Sequence, residues 1–236
     1  MTNNLLVSKN NVSFTVEDSK ELHQDIGYNF WSEKYSSWEP GTFNFLDRFL
    51  SKDKDYLDIG SWIGPTAIYG SFFSRNVVAV EPDPIAHKIL QKNISLNSIK
   101  NINVIHKAAS GVKEVYLQSN NFLGDSMTRV SEKNTTGISA ETIGLDALLS
   151  MGDFSLIKID IEGHEFSLIN HYAEILQDYK IPLLLSLHGP FFRNGDALTS
   201  QLVKDLDKVN NILTENGEQI SNKEITSNFG SYLFTW

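Results

Sequence analysis

The chain has 236 residues, of which 41% are hydrophobic and 21% are charged, a composition typical of one soluble globular domain. Twenty basic residues stand against 29 acidic ones, and the net charge of −9 argues against a surface that follows nucleic-acid phosphates or anionic lipids. The absence of cysteine excludes disulfides and thiolate metal sites.

The first residues lack the basic and apolar regions of a signal peptide, and no apolar run is long enough to cross a bilayer. We therefore expect a cytoplasmic protein without membrane insertion. The partner that this composition favours is a small molecule rather than a nucleic acid. The oligomeric state stays open.

Residues 1–50 are predicted to form an N-terminal helical and aromatic segment that packs on the main domain, residues 51–236. Apolar residues recur at helical spacing between Gly41 and Leu50, which predicts a helix there. The aromatic residues Trp31, Tyr35 and Trp38 have two interpretations. They either form a wall for an acceptor molecule or pack in the core.

From about residue 55, apolar runs alternate with helical stretches. The runs YLDIG, NVVAVEP, NINVIHKAA, SLIKIDIEG and IPLLLSLHG are dense in Val, Ile and Leu, which is typical of parallel strands buried on both faces. Helices are predicted at 65–69, 84–97, 165–177 and 196–214. This alternation predicts a doubly wound, Rossmann-like α/β fold, with a mostly parallel sheet and helices on both faces.

The polar stretch 112–139 interrupts this alternation. It is rich in Ser, Thr, Asn and Gly. We predict that it forms an excursion at the functional edge of the sheet and shapes the acceptor site there.

Ligands of open α/β sheets bind beyond the carboxyl ends of the strands. The first strand closes on Asp58, and Gly60 and Gly64 follow it. Glu81, at the end of the second strand, stands where a nucleotide-binding fold places an acid that holds both ribose hydroxyls. The alternative for Glu81 is an acid that stabilises a helix N-terminus.

The spacing of the glycines helps to distinguish between the nucleoside cofactors that could bind. A dinucleotide site needs a glycine two residues after Gly60, where this chain has Trp62, so the pyrophosphate of NAD is disfavoured. S-adenosylmethionine carries no phosphate, and its tail needs only a close approach to the backbone. An NAD-linked oxidoreductase and a catalytically inert nucleoside-binding domain remain the alternatives.

At this point the chain resembles the FkbM-type methyltransferases of the class I S-adenosylmethionine-dependent enzymes. The resemblance rests on LDIGSWIGPTA, VVAVEPDP and GLDALL…FSLIKIDIEGHEFSLI, within roughly residues 38–190. It implies that residues 51–236 form the S-adenosylmethionine-binding domain and that a hydroxyl of a sugar, glycan or natural product is methylated. The cofactor contacts expected on this basis are Glu39, Asp58, Gly60, Ser61, Gly64, Glu81, Pro82 and Asp160. For Glu39 the alternative is a capping acid near a turn.

The charged residues of the stretch KIDIEGHE also indicate a functional site. Strand alternation places Lys158, Asp160 and Glu162 on one face, where buried charges are costly unless they pair or bind something. Lys158 is either catalytic or the partner of Asp160 in a core ion pair. Asp160 is predicted to face the cofactor's amino group or the acceptor hydroxyl.

Two histidines are candidates for the general base. His188 ends the apolar strand IPLLLSLHG and is the leading candidate, with Asp160 second. His164 begins a helix, where the positive end of the dipole favours neutral imidazole, or it is an exposed first-turn residue. A divalent ion such as Mg²⁺ could assist, with Asp160, Glu162 and His188 as ligands, although no spacing is diagnostic.

Overall fold

The computed structural model describes residues 3–18, 29–119, 123–134 and 137–236. The strands are β1 (Asn3–Lys9), β2 (Val12–Asp18), β3 (Asp55–Ile59), β4 (Val77–Val80), β5 (Ile102–Ile105), β6 (Ala108–Ala109), β7 (Glu114–Gln118), β8 (Arg129–Ser131), β9 (Ser139–Ile143), β10 (Phe154–Ile159), β11 (Leu183–Leu187), β12 (Asn211–Thr214), β13 (Gln219–Ile220) and β14 (Gly230–Thr235). The α-helices are α1 (Pro40–Phe49), α2 (Pro65–Ser71), α3 (Pro84–Leu96), α4 (Leu145–Leu149), α5 (Glu165–Tyr179) and α6 (Gly195–Asp205).

Eight strands form the central sheet in the order β13-β12-β14-β11-β10-β3-β4-β5. The five strands from β11 to β5 run parallel, and β14, β12 and β13 add antiparallel strands at one edge. The chain moves outward from β3 through β4 and β5, and then returns to β10 on the other side of β3. This is the predicted doubly wound α/β fold, and its strand order reverses between β3 and β10.

The core fills both faces of this sheet. On one face the helices α4, α5 and α6 contribute to an apolar cluster, and on the other α1, α2, α3 and the first two strands form a second cluster. Every residue of β3, β4 and β11 is buried. This two-sided burial explains why those strands read as continuous apolar runs rather than alternating ones.

The predicted helix over 196–214 is partly wrong. The helix α6 ends at Asp205, and residues 211–214 form β12. Ile212 pairs with Phe234 of β14 in the antiparallel edge of the sheet. Local spacing does not reveal a partner so distant in the chain, and this pairing decides the conformation.

The N-terminal segment is helical only in part. The strands β1 and β2 pair as an antiparallel hairpin, which the sequence analysis did not predict, and a π-helical turn follows at Phe30–Lys34. The helix α1 confirms the prediction over 41–50 within one residue.

The polar stretch 112–139 contributes β7 and β8 to a four-stranded sheet of order β6-β9-β7-β8. Among the described residues, no helix is both long and apolar enough to span a membrane.

Candidate active site

A cavity of about 290 Å³ opens at the carboxyl ends of β3, β10 and β11, beside the reversal of strand order. Its lining includes Trp38, Glu39, Gly60, Ser61, Trp62, Ser126, Lys158, Asp160, Glu162, Ser186, His188, Glu215 and Phe229. A smaller cavity beside it is lined by Gly60, Trp62, Glu81, Pro82, Asp125, Ser126, Thr128, Val130, Asp160, Ile161 and Glu162. Because the two share several residues, we treat them as one trough.

The two glycines after β3 have different reasons to be glycine. Gly60 has φ +84°, and an added Cβ would lie 1.8 Å from the carbonyl oxygen of Asp160, so β3 and β10 approach there as only glycine permits. Gly64 has φ +101°, and its Cβ would meet Leu90 Cδ1 at 2.6 Å, which sets the packing of α2 against α3. Gly60 lines the trough, whereas Gly64 is not among its lining residues.

Asp58 lies beneath the trough rather than in its lining. Its side chain is fully buried, Oδ2 accepts a hydrogen bond from Thr66 Oγ1 at 2.8 Å, and Oδ1 lies 4.0 Å from Lys158 Nζ. Burial raises the pKa of Asp58, and the Lys158 charge opposes this increase. Ser61 lines the trough and donates to the Asp58 carbonyl at 2.8 Å.

Glu81 lies at the end of β4, as predicted, in the lining of the smaller cavity together with Pro82. One carboxylate oxygen accepts from Trp62 N and the other from Asp83 N, both at 2.8 Å. Burial raises the pKa of Glu81 to about 8. Each carboxylate oxygen can accept a second hydrogen bond, so the two backbone donors leave capacity for ribose hydroxyls. That role stays a prediction.

The polar stretch is tied to the trough through Asp83 and Trp62. Asp83 Oδ2 accepts from Gly124 N at 2.6 Å and from Thr128 Oγ1 at 2.9 Å. The indole nitrogen of Trp62 donates to the Gly124 carbonyl at 2.9 Å. Trp62 stands where a dinucleotide site needs glycine, and its indole closes this part of the trough.

Glu39 reaches the trough from the N-terminal segment. Its backbone is left-handed, with φ 43°, and its Oε2 is buried without a hydrogen-bond partner in the described part of the chain. Burial raises the pKa of Glu39 to about 7, and the charge of Asp160 adds to the increase. A buried carboxylate oxygen without a donor is costly, so this site is suited to a ligand ammonium.

Lys158 and Asp160 form an ion pair, with Nζ 2.9 Å from Oδ2. Burial lowers the pKa of Lys158, but the surrounding carboxylates outweigh it and hold the pKa above its usual value, so the side chain stays an ammonium. Burial opposes ionisation of Asp160, and Lys158 and His188 reverse this and lower its pKa. These two residues fit the ion-pair alternative better than the role of a base.

His188 is held by an acid that the sequence analysis missed. Glu165 is fully buried, and its Oε1 accepts the His188 backbone N–H at 2.8 Å and lies 3.1 Å from Nδ1. Nε2 lies 3.4 Å from Glu162 and 3.6 Å from Asp160, at the trough. Burial lowers the pKa of His188, but Glu165 and the other acids raise it to about 9. The other oxygen of Glu165 accepts from Gly163 N at 2.8 Å, which braces the turn that carries Glu162.

The predicted metal ligands also meet here. The ligand atoms of Asp160, Glu162 and His188 all lie within 4.8 Å of one another, so these side chains could hold a divalent ion. Glu162 has a left-handed backbone, with φ 53°. Such strained residues collect at functional sites, and Glu39, Trp62 and Glu162 all line this trough.

His164 is not brought to the trough. It is buried, and its Nε2 lies 3.0 Å from Ser110 Oγ in the interior. Burial, rather than the helix dipole named in the sequence analysis, is the main cause that lowers its pKa.

Aromatic side chains border the trough on two sides. Trp31 and Tyr35 are buried, which fits core packing, whereas Trp38 lines the trough. Phe229 is 59% exposed at the rim, and the Phe191 ring stacks on His188 at 5.5 Å between centroids. Neither ring was predicted from the sequence, because antiparallel β14 and a turn after β11 bring them to the site.

The fold and the trough have the architecture of class I methyltransferases, with a glycine turn after β3, an acid at the end of β4 and the crevice at the reversal of strand order. The sequence profile of the Methyltransferase FkbM domain matches residues 60–220. Since this is more than half of the chain, the protein belongs to the FkbM methyltransferase family and carries an S-adenosylmethionine-dependent methyltransferase domain. The NAD-linked oxidoreductase is thereby set aside.

Individual relatives are more distant. Ribosomal protein L11 methyltransferase of Clostridium perfringens is 36% identical over 62 residues, 26% of this chain and 20% of the relative. The chain thus matches about a fifth of the length of these curated relatives.

Two solved structures are similar to this chain. A methyltransferase FkbM from Methylobacillus flagellatus KT has a TM-score of 0.48 at 18% identity, covering 79% of this chain and 44% of the other. An rRNA methylase from Streptococcus thermophilus has a TM-score of 0.50 at 13% identity, covering 82% of this chain and 91% of the other. At such identity the second structure shows a common fold.

Proposed function

We propose that this protein is an O-methyltransferase that transfers the methyl group of S-adenosylmethionine to a hydroxyl of a small-molecule or glycan acceptor. The observation that carries the proposal is the Glu165–His188 pair, whose Nε2 faces the trough beside Glu162 and Asp160. A histidine oriented by a buried carboxylate is a common arrangement for a general base.

The trough residues fit the parts of the cofactor. The unpaired, buried oxygen of Glu39 suits the ammonium at the methionine end, where Gly60 and Ser61 form the lining. Glu81 suits the ribose hydroxyls in the adjoining cavity. When bound, S-adenosylmethionine supplies a methyl group already activated on a sulfonium, so much of the catalysis comes from positioning.

His188 takes the hydroxyl proton of the acceptor through Nε2. Glu165 keeps the proton of the neutral ring on Nδ1, so that Nε2 is the nitrogen that accepts the acceptor's proton. With a pKa of about 9, His188 is mostly protonated at neutral pH in the free protein. Its proton leaves more readily when a cation is bound nearby, because like charges disfavour the imidazolium. Such a base contributes about 10²–10⁴-fold to the rate.

The charge around the trough favours a neutral acceptor over a nucleic acid. Glu162 and Glu215 lie in the lining in addition to Glu39 and Asp160. The whole chain carries a net charge of −9. These carboxylates repel phosphates, so we do not extend to this chain the RNA substrate named for the Streptococcus methylase.

A metal-assisted mechanism is the second candidate. The spacing within 4.8 Å of Asp160, Glu162 and His188 supports it. A divalent ion there would lower the pKa of the acceptor hydroxyl and replace the base.

The test is an assay with labelled S-adenosylmethionine against a panel of neutral saccharides and hydroxylated natural products, with RNA in parallel. We expect micromolar binding of S-adenosylhomocysteine and not of NAD. We also expect methylation of a neutral hydroxyl acceptor that persists in EDTA. Activity lost in EDTA and restored by Mg²⁺ would replace the base mechanism with the metal mechanism. Methylation of RNA alone would overturn the proposed acceptor class, and failure to bind S-adenosylhomocysteine would support an inert domain.

A further inference from the structure

The N-terminal hairpin lies outside the family match at 60–220, yet it contacts the turn before Glu39 directly and reaches the glycine turn through Asn93. Lys9, the last residue of β1, is only 4% exposed. Its ammonium donates to the carbonyls of Tyr35 at 3.3 Å, Ser36 at 3.2 Å and Trp38. It also lies 4.4 Å from the centroid of the Phe43 ring, a cation–π contact.

These carbonyls belong to the turn that leads into Glu39. They follow the π-helical turn Phe30–Lys34, and a cation at the carbonyl end of a helical turn is favourable. Lys9 therefore fixes the backbone at Trp38, directly before the left-handed Glu39. The backbone next to Glu39 is thus held by a residue thirty positions earlier in the chain.

The second strand of the hairpin connects to the glycine turn. Asn93 of α3 is fully buried, and its Oδ1 accepts from Glu17 N of β2 at 2.8 Å. Its Nδ2 donates to the carbonyl of Ile63, between Gly60 and Gly64, at 3.0 Å. One side chain thus joins the hairpin to the turn opposite Glu39.

We propose that Lys9 is a positioning residue for cofactor binding, which holds Glu39 where its carboxylate meets the amino group at the methionine end. The proposal rests on the proposed function, since it assigns that end of the trough to the amino-acid part of S-adenosylmethionine. Lys9 acts through Glu39 and does not itself line the trough.

Two ligands separate positioning from general structure. S-adenosylhomocysteine carries the amino-acid part, whereas methylthioadenosine lacks it and keeps the nucleoside. We expect Lys9→Met to weaken S-adenosylhomocysteine roughly tenfold, the loss typical of one charge-assisted contact, and to change methylthioadenosine less than about twofold. Lys9→Arg, which keeps a charged donor, should recover part of the affinity. Lys100→Met removes an exposed lysine and should change neither ligand.

A double variant tests the route of the effect. If Lys9 acts through Glu39, Lys9→Met/Glu39→Gln binds S-adenosylhomocysteine no more weakly than Glu39→Gln alone. Additive losses, equal losses of both ligands, or an unchanged Lys9→Met protein would each overturn the proposal. If the Lys9→Met protein does not fold, Lys9→Gln takes its place in the same binding measurements. A wild-type protein that binds neither ligand would instead contradict the proposed function, and this proposal with it.

Discussion

Two regions meet at the trough, and they place their residues by different means. The central sheet presents Asp160 and His188 from the ends of neighbouring parallel strands, and hydrogen-bonded ladders fix the position of those ends. The N-terminal segment presents Glu39 from a turn that Lys9 holds by hydrogen bonds to carbonyls and that buried aromatic rings support. The sheet edge is therefore rigid by architecture, whereas the N-terminal side depends on a few side chains.

The largest effect is expected within the sheet, at Gly60. The variant Gly60→Ala places a Cβ 1.8 Å from the backbone oxygen of Asp160, directly after β10, at a φ of +84°. We expect a loss of more than about 3 kcal/mol in the free energy of unfolding, measured in urea. Binding of S-adenosylhomocysteine should fall below detection.

The matched control is Gly217→Ala. Gly217 has a similar φ of +79° but no atom within 4 Å of the added Cβ. It should cost only about 1 kcal/mol, the price of the left-handed backbone alone. Equal losses in the two variants would show that conformation, and not the close approach of β3 and β10, is what Gly60 supplies.

The chemistry of the sheet edge is tested by His188→Gln. We expect methyl transfer to the acceptor found in the screen to fall about 10²–10⁴-fold, because the base is removed. Affinity for S-adenosylhomocysteine should stay within about threefold, since other residues hold the cofactor.

His164→Gln is the control for His188→Gln. His164 is buried against Ser110 away from the trough, so its loss should lower the melting temperature and leave kcat largely unchanged. A rate loss as large in this variant would contradict the assignment of the base to His188.

The link between the two regions is tested at Asn93. Replacing Asn93 by Ala leaves the Ile63 carbonyl and the Glu17 amide without their partner, which should cost about 2 kcal/mol of stability. Asn97→Ala removes a comparable contact to Thr15 of β2 and does not touch the glycine turn. Calorimetric titration should show weaker S-adenosylhomocysteine binding in Asn93→Ala only; weakening in both would place the effect in the hairpin as a whole.

The smallest effect is a pH dependence at the N-terminal side. Burial raises the pKa of Glu39 to about 7, so this carboxyl is mainly neutral below pH 7 and charged above it. Since the ammonium needs the charged form, affinity for S-adenosylhomocysteine should rise roughly tenfold from pH 6 to pH 8, and binding at pH 6 should release the Glu39 proton.

Two controls accompany this titration. Methylthioadenosine, without the ammonium, should show only the smaller pH effect of Glu81, whose pKa of about 8 lies near this range, and Glu39→Gln should reduce the rise for S-adenosylhomocysteine to that level. A larger rise that persists in Glu39→Gln would assign it to another group.

The sequence by itself determined the doubly wound sheet and most residues at its functional edge. Continuous apolar runs predicted buried parallel strands, and the carboxyl ends of such strands must meet at one edge. Lys158, Asp160, Glu162 and His188 were therefore expected together, and the structure brings them together. Local pattern sufficed because burial on both faces, which is typical of parallel strands, is visible within each strand.

Only the tertiary structure decided which side chain supports which. The pairing of Glu165 with His188, the burial of His164 against Ser110 and the place of Asp58 beneath the trough depend on contacts between distant elements. The contacts of Lys9 in the hairpin also could not be predicted, since nothing near Lys9 in the sequence indicates the carbonyls that it binds. Such contacts depend on how distant elements pack together, and periodicity along the chain carries no record of them.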